Sequence, residues 1–259
     1  MLNQKKFSYI TKGYGHPLIL LHGLMGGLSN FKYILDFFPK KGYKVIFPSL
    51  PLYKMPLLLT NISNLSKYIM EFLVRIKVRK VTLIGNSLGG HVALIVAKKR
   101  LDLVHSVVLT GSSGLFEKSI GYNFPKRENY EYIKKKSQEV FYDPKIATKE
   151  LVDEVFNIVN DKKKVIRTLY LAKSSIKYNM SRDLSMITQP ICLIWGKQDH
   201  VTPPEVARLF HRLLPKSELY WIDKCGHVPM MEHPEIFIKI LEDWLSKLNL
   251  NNENYFCKI

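Results

Sequence analysis

A serine, an aspartate and a histidine of this chain each lie where an apolar run gives way to a short polar turn. They are Ser87, Asp199 and His227. A serine hydroxyl is too weak an acid to act alone, so it needs a histidine to accept its proton and an acceptor to orient that histidine. The order serine, aspartate, histidine accompanies a serine that lies on a strand-to-helix turn. The three residues are therefore candidates for nucleophilic catalysis.

Ser87 has the local sequence that such a turn requires. The apolar run 81–84 predicts a buried strand, the apolar run 88–97 predicts a helix, and the pattern Gly-x-Ser-x-Gly joins them. Side chains at Gly85 and Gly89 would clash across so tight a turn. The N–H of Leu88 would then lie at a helix N-terminus, which favours an anion. The alternative is a plain strand–helix turn whose small residues serve packing.

The partners of Ser87 also have alternatives. Asp199 precedes a Pro-Pro pair and a predicted helix, so it is also placed to cap that helix. Asp223 is a rival acid on the other side of the histidine loop. Three glycines in segment 22–27, after a buried strand, indicate either close approach of the backbone to a ligand or a plain turn. The remaining histidines are interpreted as surface or packing residues, and these are His16, His91, His105, His200, His211 and His233.

Strands alternate with helices along most of the chain, which predicts an α/β fold with a mostly parallel central sheet covered on both faces. The predicted strands are 7–11, 17–21, 43–48, 81–84, 106–110, 190–196 and 218–222, and the predicted helices of this core are 29–38, 62–76, 88–97, 204–214 and 234–248. Ligands of such sheets bind at the carboxyl ends of the strands. The segments 22–27, 85–89 and 111–114 all fall there.

The segment 115–183 differs in character from the rest. Lysines, tyrosines and helix-like stretches at 131–140, 149–160 and 162–173 replace the buried strands. We interpret 115–183 as a helical cap inserted before the last two strands. The core is then 1–114 together with 184–250, and 251–259 is predicted to be a flexible polar tail.

Composition narrows the class of protein. With 259 residues the chain is long enough for one large α/β domain. The net charge of +17 can attract nucleic acid or an anionic surface, but the basic clusters are scattered and no aromatic residues interleave with them. We therefore expect no specific nucleic-acid partner. No apolar stretch is long enough to span a bilayer and no signal-peptide core follows the first charges, so a cytoplasmic location is expected.

The three cysteines indicate neither a metal site nor a disulfide framework. Cys192, Cys225 and Cys257 are odd in number and widely spaced. Cys192 lies inside an apolar strand, as a small hydrophobic residue would. Cys225 adjoins His227 and is interpreted as a packing residue of that loop, with a reactive thiol as the alternative. The proposed chemistry needs no metal and no organic cofactor.

Four ordered motifs resemble those of the α/β-hydrolase superfamily, especially its small serine esterases and the carbon–carbon bond hydrolases of aromatic-ring breakdown. They are the segments 22–26, 85–90, 195–199 and 225–227. The resemblance covers residues 7–248 and implies an α/β-hydrolase fold with 115–183 as a variable cap. It implies that Ser87 is the nucleophile, His227 the base and then the acid, and Asp199 the orienting residue.

The resemblance also implies an oxyanion hole made by the backbone N–H groups of Leu24 and Leu88, with His22 supporting the turn that carries Leu24. A serine at this turn disfavours the dehalogenase and epoxide-hydrolase branches, which have an aspartate there. Arg167 and Arg182 are the candidates in the insertion for binding a substrate carboxylate. Exposure on cap helices is the alternative for both.

Three functions follow from these residues. The first is a serine hydrolase that cleaves a small carboxylic ester through an acyl-enzyme. The second is a hydrolase that cleaves a carbon–carbon bond in a vinylogous diketone acid with the same residues. The third is a non-catalytic ligand-binding member of the fold, which the intact trio disfavours. A small molecule is the expected partner in each case, and the sequence does not indicate the oligomeric state.

Overall fold

The computed structural model describes residues 7–117, 126–248 and 250, and the predicted tail 251–259 lies outside them. Seven strands form one sheet in the order β1-β3-β2-β4-β5-β6-β7. Their bounds are β1 Tyr9–Lys12, β2 His16–Leu21, β3 Tyr43–Pro48, β4 Val81–Asn86, β5 Val104–Thr110, β6 Ile191–Gly196 and β7 Ser217–Ile222. β1 is antiparallel to β3, and every other pair is parallel. The predicted α/β class and mostly parallel sheet are confirmed.

Nine α-helices lie along the described chain. They are α1 Lys32–Phe37, α2 Ile62–Arg75, α3 Leu88–Lys99, α4 Tyr130–Gln138, α5 Lys149–Asn160, α6 Lys162–Lys177, α7 Pro204–Leu213, α8 Pro229–Glu232 and α9 Pro234–Ser246. α2, α3 and α7 pack on one face of the sheet. α1 and α9 pack on the other face.

The central strands are apolar on both sides because both sheet faces are covered. Along β2, Ile19 and Leu21 join the core under α2 and α3, whereas Leu18 and Leu20 join the core under α1 and α9. Successive side chains of a strand point to opposite faces, so a continuous apolar run is what a doubly covered strand needs. β1 is the exception, since all four of its residues are exposed at the sheet edge.

The predicted helix 29–38 is wrong in extent. The α-helical part is only Lys32–Phe37, and single 3-10 turns at Leu28–Phe31 and Phe38–Lys41 flank it. Pro39 lacks the N–H that would continue the α-helix, and Gly42 ends the second turn in the left-handed conformation, with φ of 81°. The predicted irregular loop 49–59 likewise contains a 3-10 turn at Leu57–Leu59.

Helices are the regular secondary structure of the described chain between β5 and β6. Polar side chains accept hydrogen bonds from the first turns of its three α-helices, and these N-caps are Asn129 for α4, Thr148 for α5 and Asp161 for α6. No strand occurs among residues 126–183. These helices lie beside the carboxyl ends of the strands, where Leu151 and Val155 of α5 line the same cavity as Ser87. In the described chain, no helix combines the length and apolar character needed to cross a bilayer.

Candidate active site

Ser87 occupies the tight turn between β4 and α3, with φ of 53° and ψ of −121°. Residues other than glycine rarely adopt positive φ, and such strain persists only where the surroundings impose it. Here the Ser87 N–H donates to Thr110 O at 3.1 Å, and Ser87 O accepts from the N–H groups of Gly90, His91 and Ser113. These bonds hold the turn in a shape that the side chain alone would not favour.

Glycines around the turn admit neighbouring backbone that a side chain would displace. A Cβ on Gly85 would lie 2.5 Å from Gly90 Cα, and a Cβ on Gly89 would lie 2.0 Å from Leu21 O. Both distances are far below van der Waals contact. The crowding expected from the sequence is therefore present, and it involves the end of β2 as well as the turn itself.

Asp199 lies in the turn after β6 and is 1% exposed. Its Oδ1 accepts from the N–H groups of Val201 and Thr202, at 2.8 and 3.0 Å. Its Oδ2 accepts from Thr202 Oγ1 at 2.8 Å and from His227 Nδ1 at 2.9 Å. Asp199 thus shapes its own turn and contacts the imidazole. It does not cap α7, whose N-cap is Pro203 and whose first turn receives no side-chain hydrogen bond there, so the helix-cap alternative was wrong.

The contact with Asp199 sets the tautomer of His227. A carboxylate only accepts hydrogen bonds, so His227 Nδ1 carries a proton and Nε2 of the neutral ring has the free lone pair. Burial lowers the pKa of His227, but the charge and hydrogen bond of Asp199, with the charges of Glu117 and Glu232, outweigh burial and raise its pKa above 6.5. The imidazole is therefore oriented and electrostatically prepared to take up a proton.

The segment after β2 approaches Ser87 closely. A Cβ on Gly23 would lie 3.1 Å from Ser87 Cβ. His22 Nδ1 donates to Gly23 O at 2.8 Å, and the Tyr53 hydroxyl donates to Leu24 O at 3.0 Å. These two bonds hold the turn that carries Leu24. Burial lowers the pKa of His22, which keeps this ring neutral, as a supporting residue should be.

A cavity of about 180 Å³ brings these segments together. Leu24, Ser87 and His227 line it, and Asp199 lies behind His227. Leu88 begins α3, where its N–H lacks an intrahelical acceptor. The other walls are mainly apolar and come from both the sheet edge and the helices before β6, and they include Met25, Val140, Phe141, Leu151, Val155, Val201, Val228 and Met231.

Three contacts at the site have no signal in the local sequence. Asn86 Nδ2 donates to His227 O at 3.2 Å, so the residue before the serine holds the histidine loop. Glu232 accepts from the N–H groups of Gly226 and Tyr142, at 2.8 and 2.7 Å. Glu232 and Gly226 are six residues apart, whereas Asn86 and His227, and Glu232 and Tyr142, are distant along the chain and meet only in the folded molecule.

The His227 loop also contacts the segment between β5 and β6 directly. The His227 N–H donates to Val140 O at 2.9 Å. A Cβ on Gly226 would lie 2.6 Å from that same oxygen. The end of α4 and the histidine loop are therefore closely fitted, and a side chain at position 226 would separate them.

Several alternative residues lie away from this centre. Asp223 is exposed and pairs with Gln198 at 3.2 Å and Lys197 at 3.7 Å. Cys225 is fully buried, and burial raises the pKa of its thiol, which favours the packing interpretation. The guanidinium of Arg167 donates to Met55 O and Lys163 O, and Arg182 is exposed. Neither arginine lines the cavity.

Comparison with known proteins agrees with the fold. The family model described as "Alpha/beta hydrolase family" matches residues 18–240. The chain belongs to the alpha/beta hydrolase family. The match includes Ser87, Asp199 and His227, so this alpha/beta hydrolase has its candidate site inside the family region.

Relatives of this alpha/beta hydrolase fall into more than one class. A crystal structure of an alpha/beta hydrolase enzyme from the metagenome of Mar Chica lagoon sediments is 46% identical, with TM-score 0.78, covering 95% of this chain and 97% of that one. A 2-hydroxy-6-oxononadienedioate/2-hydroxy-6-oxononatrienedioate hydrolase from Pseudomonas sp is 24% identical, covering 89% and 88%. Lipase 1 of Psychrobacter immobilis is 26% identical, covering 84% and 73%.

Proposed function

We propose that this alpha/beta hydrolase cleaves small carboxylic esters through an acyl-enzyme, with Ser87 as nucleophile, His227 as base and Asp199 as orienting residue. The observation that carries the proposal is the buried contact of 2.9 Å between Asp199 Oδ2 and His227 Nδ1, beside a cavity that Ser87 also lines. Alignment of a nucleophile, a base and an orienting acid is the arrangement that serine hydrolysis needs.

The first half of the reaction forms the acyl-enzyme. His227 Nε2 takes the proton of the Ser87 hydroxyl as Oγ attacks the ester carbonyl carbon. The resulting oxyanion is bound by the N–H groups of Leu24 and Leu88. When the tetrahedral intermediate collapses, the carbon–oxygen bond of the ester breaks and His227 gives its proton to the departing alkoxide. Each oxyanion donor contributes about 3–4 kcal/mol to transition-state stabilisation in comparable sites.

The second half restores the serine. His227 Nε2 removes a proton from water as the water oxygen attacks the acyl carbonyl carbon, and the same two N–H groups bind the oxyanion. Collapse releases the carboxylic acid, and the proton on His227 returns to Ser87 Oγ. Asp199 keeps the imidazole in one tautomer throughout and stabilises its charged form. No step requires a metal or an organic cofactor.

The cavity walls favour an ester with an uncharged acyl group. Lys136 is the one charged residue among the described residues that line the cavity, and its Nζ contacts Glu139 Oε2 at 2.6 Å. A vinylogous diketone acid would bring a carboxylate, which needs an unpaired cation when it is taken out of water. Carbon–carbon bond cleavage is the second candidate, because the chain is similar to the 2-hydroxy-6-oxononadienedioate/2-hydroxy-6-oxononatrienedioate hydrolase from Pseudomonas sp.

A substrate panel separates the candidates. Purified protein is assayed with p-nitrophenyl acetate, p-nitrophenyl esters of longer acyl chains, and a ring-cleavage diketone acid. We expect kcat/KM for the best ester to exceed that for the diketone acid by at least about 100-fold, the value of a few kcal/mol of differential binding. Preference for the diketone acid would overturn the ester assignment, and retained binding without turnover would favour a ligand-binding member of the fold.

A further inference from the structure

An outer surface of the molecule is built by the loop 49–61 and helix α6. Arg167 Nε donates to Met55 O at 2.9 Å, and the Ile62 N–H donates to Ser174 Oγ at 3.0 Å. These bonds hold the loop and the helix side by side. A groove of about 540 Å³ runs between them, away from the cavity that contains Ser87.

Apolar side chains protrude from this surface. Leu58 is 90% exposed and its neighbour Leu59 is 52% exposed, both in the 3-10 turn Leu57–Leu59. On α6, Ile166 and Tyr170 are 41% and 46% exposed. We call this surface the Leu58 patch and define it by Leu58, Leu59, Ile166, Tyr170, Lys173 and Lys177. The four α6 residues are spaced at i, i+4, i+7 and i+11, so they share one face of the helix.

The two segments that form the Leu58 patch carry only positive charge. α6 contains six lysines and arginines and no acidic residue, and the loop 49–61 adds Lys54 and no acidic residue. Lys173 and Lys177 are exposed, and no carboxylate of the described chain lies within ion-pair distance of either. Some lysines elsewhere are paired, for example Lys98 with Asp183 at 2.7 Å. The unpaired charges of the patch are thus available to an anionic partner.

We propose that the Leu58 patch docks on an anionic lipid bilayer, with Leu58 and Leu59 in the headgroup–acyl boundary and the lysines near lipid phosphates. Apolar side chains at the tip of a short turn, with lysines beside them, are what peripheral binding to such a membrane needs. Nucleic acid fits less well, because Tyr170 is the single exposed aromatic of the patch and stacking needs several. The inference does not depend on ester hydrolysis.

Vesicle co-sedimentation tests the charge requirement. The full chain is mixed with phosphatidylcholine vesicles or with vesicles containing about one-third phosphatidylglycerol, at low and at high salt. We expect binding to the anionic vesicles alone and loss at high salt. Lys173→Glu/Lys177→Glu should weaken binding at least about tenfold. The control Lys99→Glu/Lys216→Glu changes the net charge equally at exposed lysines outside the patch and should change binding much less.

Insertion of the leucines is tested separately. Leu58→Trp should show tryptophan quenching by anionic vesicles of brominated phosphatidylcholine, whereas Leu101→Trp, at another exposed leucine, should not. Leu58→Ser should weaken vesicle binding without changing the circular dichroism spectrum. The charge variants should also keep the circular dichroism spectrum of the unmodified protein, which shows that they are folded.

Three results would overturn the proposal. One is absence of binding to the anionic vesicles at low salt. Another is equal weakening by the patch and control charge reversals, which would mean attraction by net charge alone. The third is binding of single-stranded DNA or polyglutamate through the patch with no quenching of Leu58→Trp by brominated lipid, which would assign the patch to a macromolecular partner.

Discussion

At the scale of single residues, the site is a set of contacts around His227. Asp199 holds Nδ1, Asn86 holds the backbone carbonyl, and Val140 O accepts the backbone N–H. The proposed role of His227 as base needs such fixation, because small misplacements of a group that transfers a proton are costly.

The pH dependence should report the pKa of His227. The base must be neutral to accept a proton, so kcat/KM is expected to rise with pH through a midpoint above 6.5, the ordinary value. The free energy of unfolding should change in the opposite direction and fall as the pH rises. The stabilisation by protonated His227 is fully present below the unfolded-state pKa and is lost as the pH rises through the folded-state pKa. A pH–rate profile whose acid limb has its midpoint below 6.5 would contradict the assignment of His227 as the base.

Asp199→Asn should change both the rate and the pH profile. The amide cannot stabilise an imidazolium and can enforce the other tautomer, so kcat should fall by about 10³–10⁴-fold. Loss of the negative charge lowers the pKa of His227, so the acid limb should move to lower pH. Asp223→Asn is the matched control, since Asp223 is exposed and pairs elsewhere. Equal effects of the two variants would contradict the role of Asp199.

Gly111→Ala should damage the site beyond its effect on stability. Gly111 has φ of 49°, and a Cβ there would lie 2.7 Å from His227 Nδ1. Gly42→Ala is the control, because Gly42 has φ of 81° and no atom within 4 Å of such a Cβ. Both changes should cost about 1–2 kcal/mol of unfolding free energy from the positive φ. Esterase activity in a folded sample should fall for Gly111→Ala and not for Gly42→Ala. Unchanged activity of folded Gly111→Ala would contradict the close packing of Gly111 against His227.

At the scale of elements, the helices before β6 and the histidine loop form one wall of the site. The carboxylate of Glu232, in α8, joins the N–H of Tyr142 to that of Gly226. Burial raises the pKa of Glu232, although the backbone N–H groups that it accepts from oppose this. The loop before α8 carries His227 itself, so a change at this carboxylate is expected to alter the pKa and position of the His227 imidazole.

Glu232→Gln should shift the pH profile as well as the stability. Its negative charge raises the pKa of His227, so its removal should move the acid limb of kcat/KM to lower pH. The amide can accept from only one of the two N–H groups through its oxygen, which should cost about 1–3 kcal/mol of unfolding free energy. Glu235→Gln, on the exposed start of α9, is the control. A stability loss with an unmoved pH profile would make Glu232 purely structural.

The apolar wall from α5 should set the preferred acyl length. Leu151 lines the cavity, and Leu151→Ala would enlarge it. We expect the ratio of kcat/KM for longer over shorter p-nitrophenyl esters to rise by about 4–15-fold, the value of one or two buried methylenes at about 0.8 kcal/mol each. Leu169→Ala, on α6 and outside the cavity, should leave the ratio unchanged. An unchanged ratio in Leu151→Ala would mean that the acyl group binds elsewhere.

At the scale of the whole molecule, local patterns predicted the fold well. The strand 43–48 and the helix 149–160 have the bounds that periodicity predicts, because a buried strand and an amphipathic helix each leave a distinct apolar pattern. The sheet order and the antiparallel edge pair of β1 with β3 have no such local signature. The short helix α8 was missed because four residues are too few to show a period.

Some residues of the candidate site likewise have a local sequence pattern, and others do not. Ser87 and His227 are visible in the sequence because glycine-containing turns follow apolar runs. The contacts of Asn86 with His227 and of Glu232 with Tyr142 depend on segments that are distant along the chain. The catalytic roles of Ser87, Asp199 and His227 and the cap boundary 115–183 remain predictions. The loop with Leu58 also carries Tyr53, whose hydroxyl holds Leu24 O, so the outer surface and the site share one element.

Covalent labelling tests the central claim most directly. The protein is treated with a fluorophosphonate, and the modified residue is identified by mass spectrometry of the peptides. We predict one adduct, on Ser87, whose formation rate rises with pH in parallel with kcat/KM. Ser87→Ala should abolish the adduct, and Ser137→Ala, at another serine of the cavity wall, should keep it. An unchanged adduct in Ser87→Ala, or ester turnover by the wild-type protein without any adduct, would contradict the account.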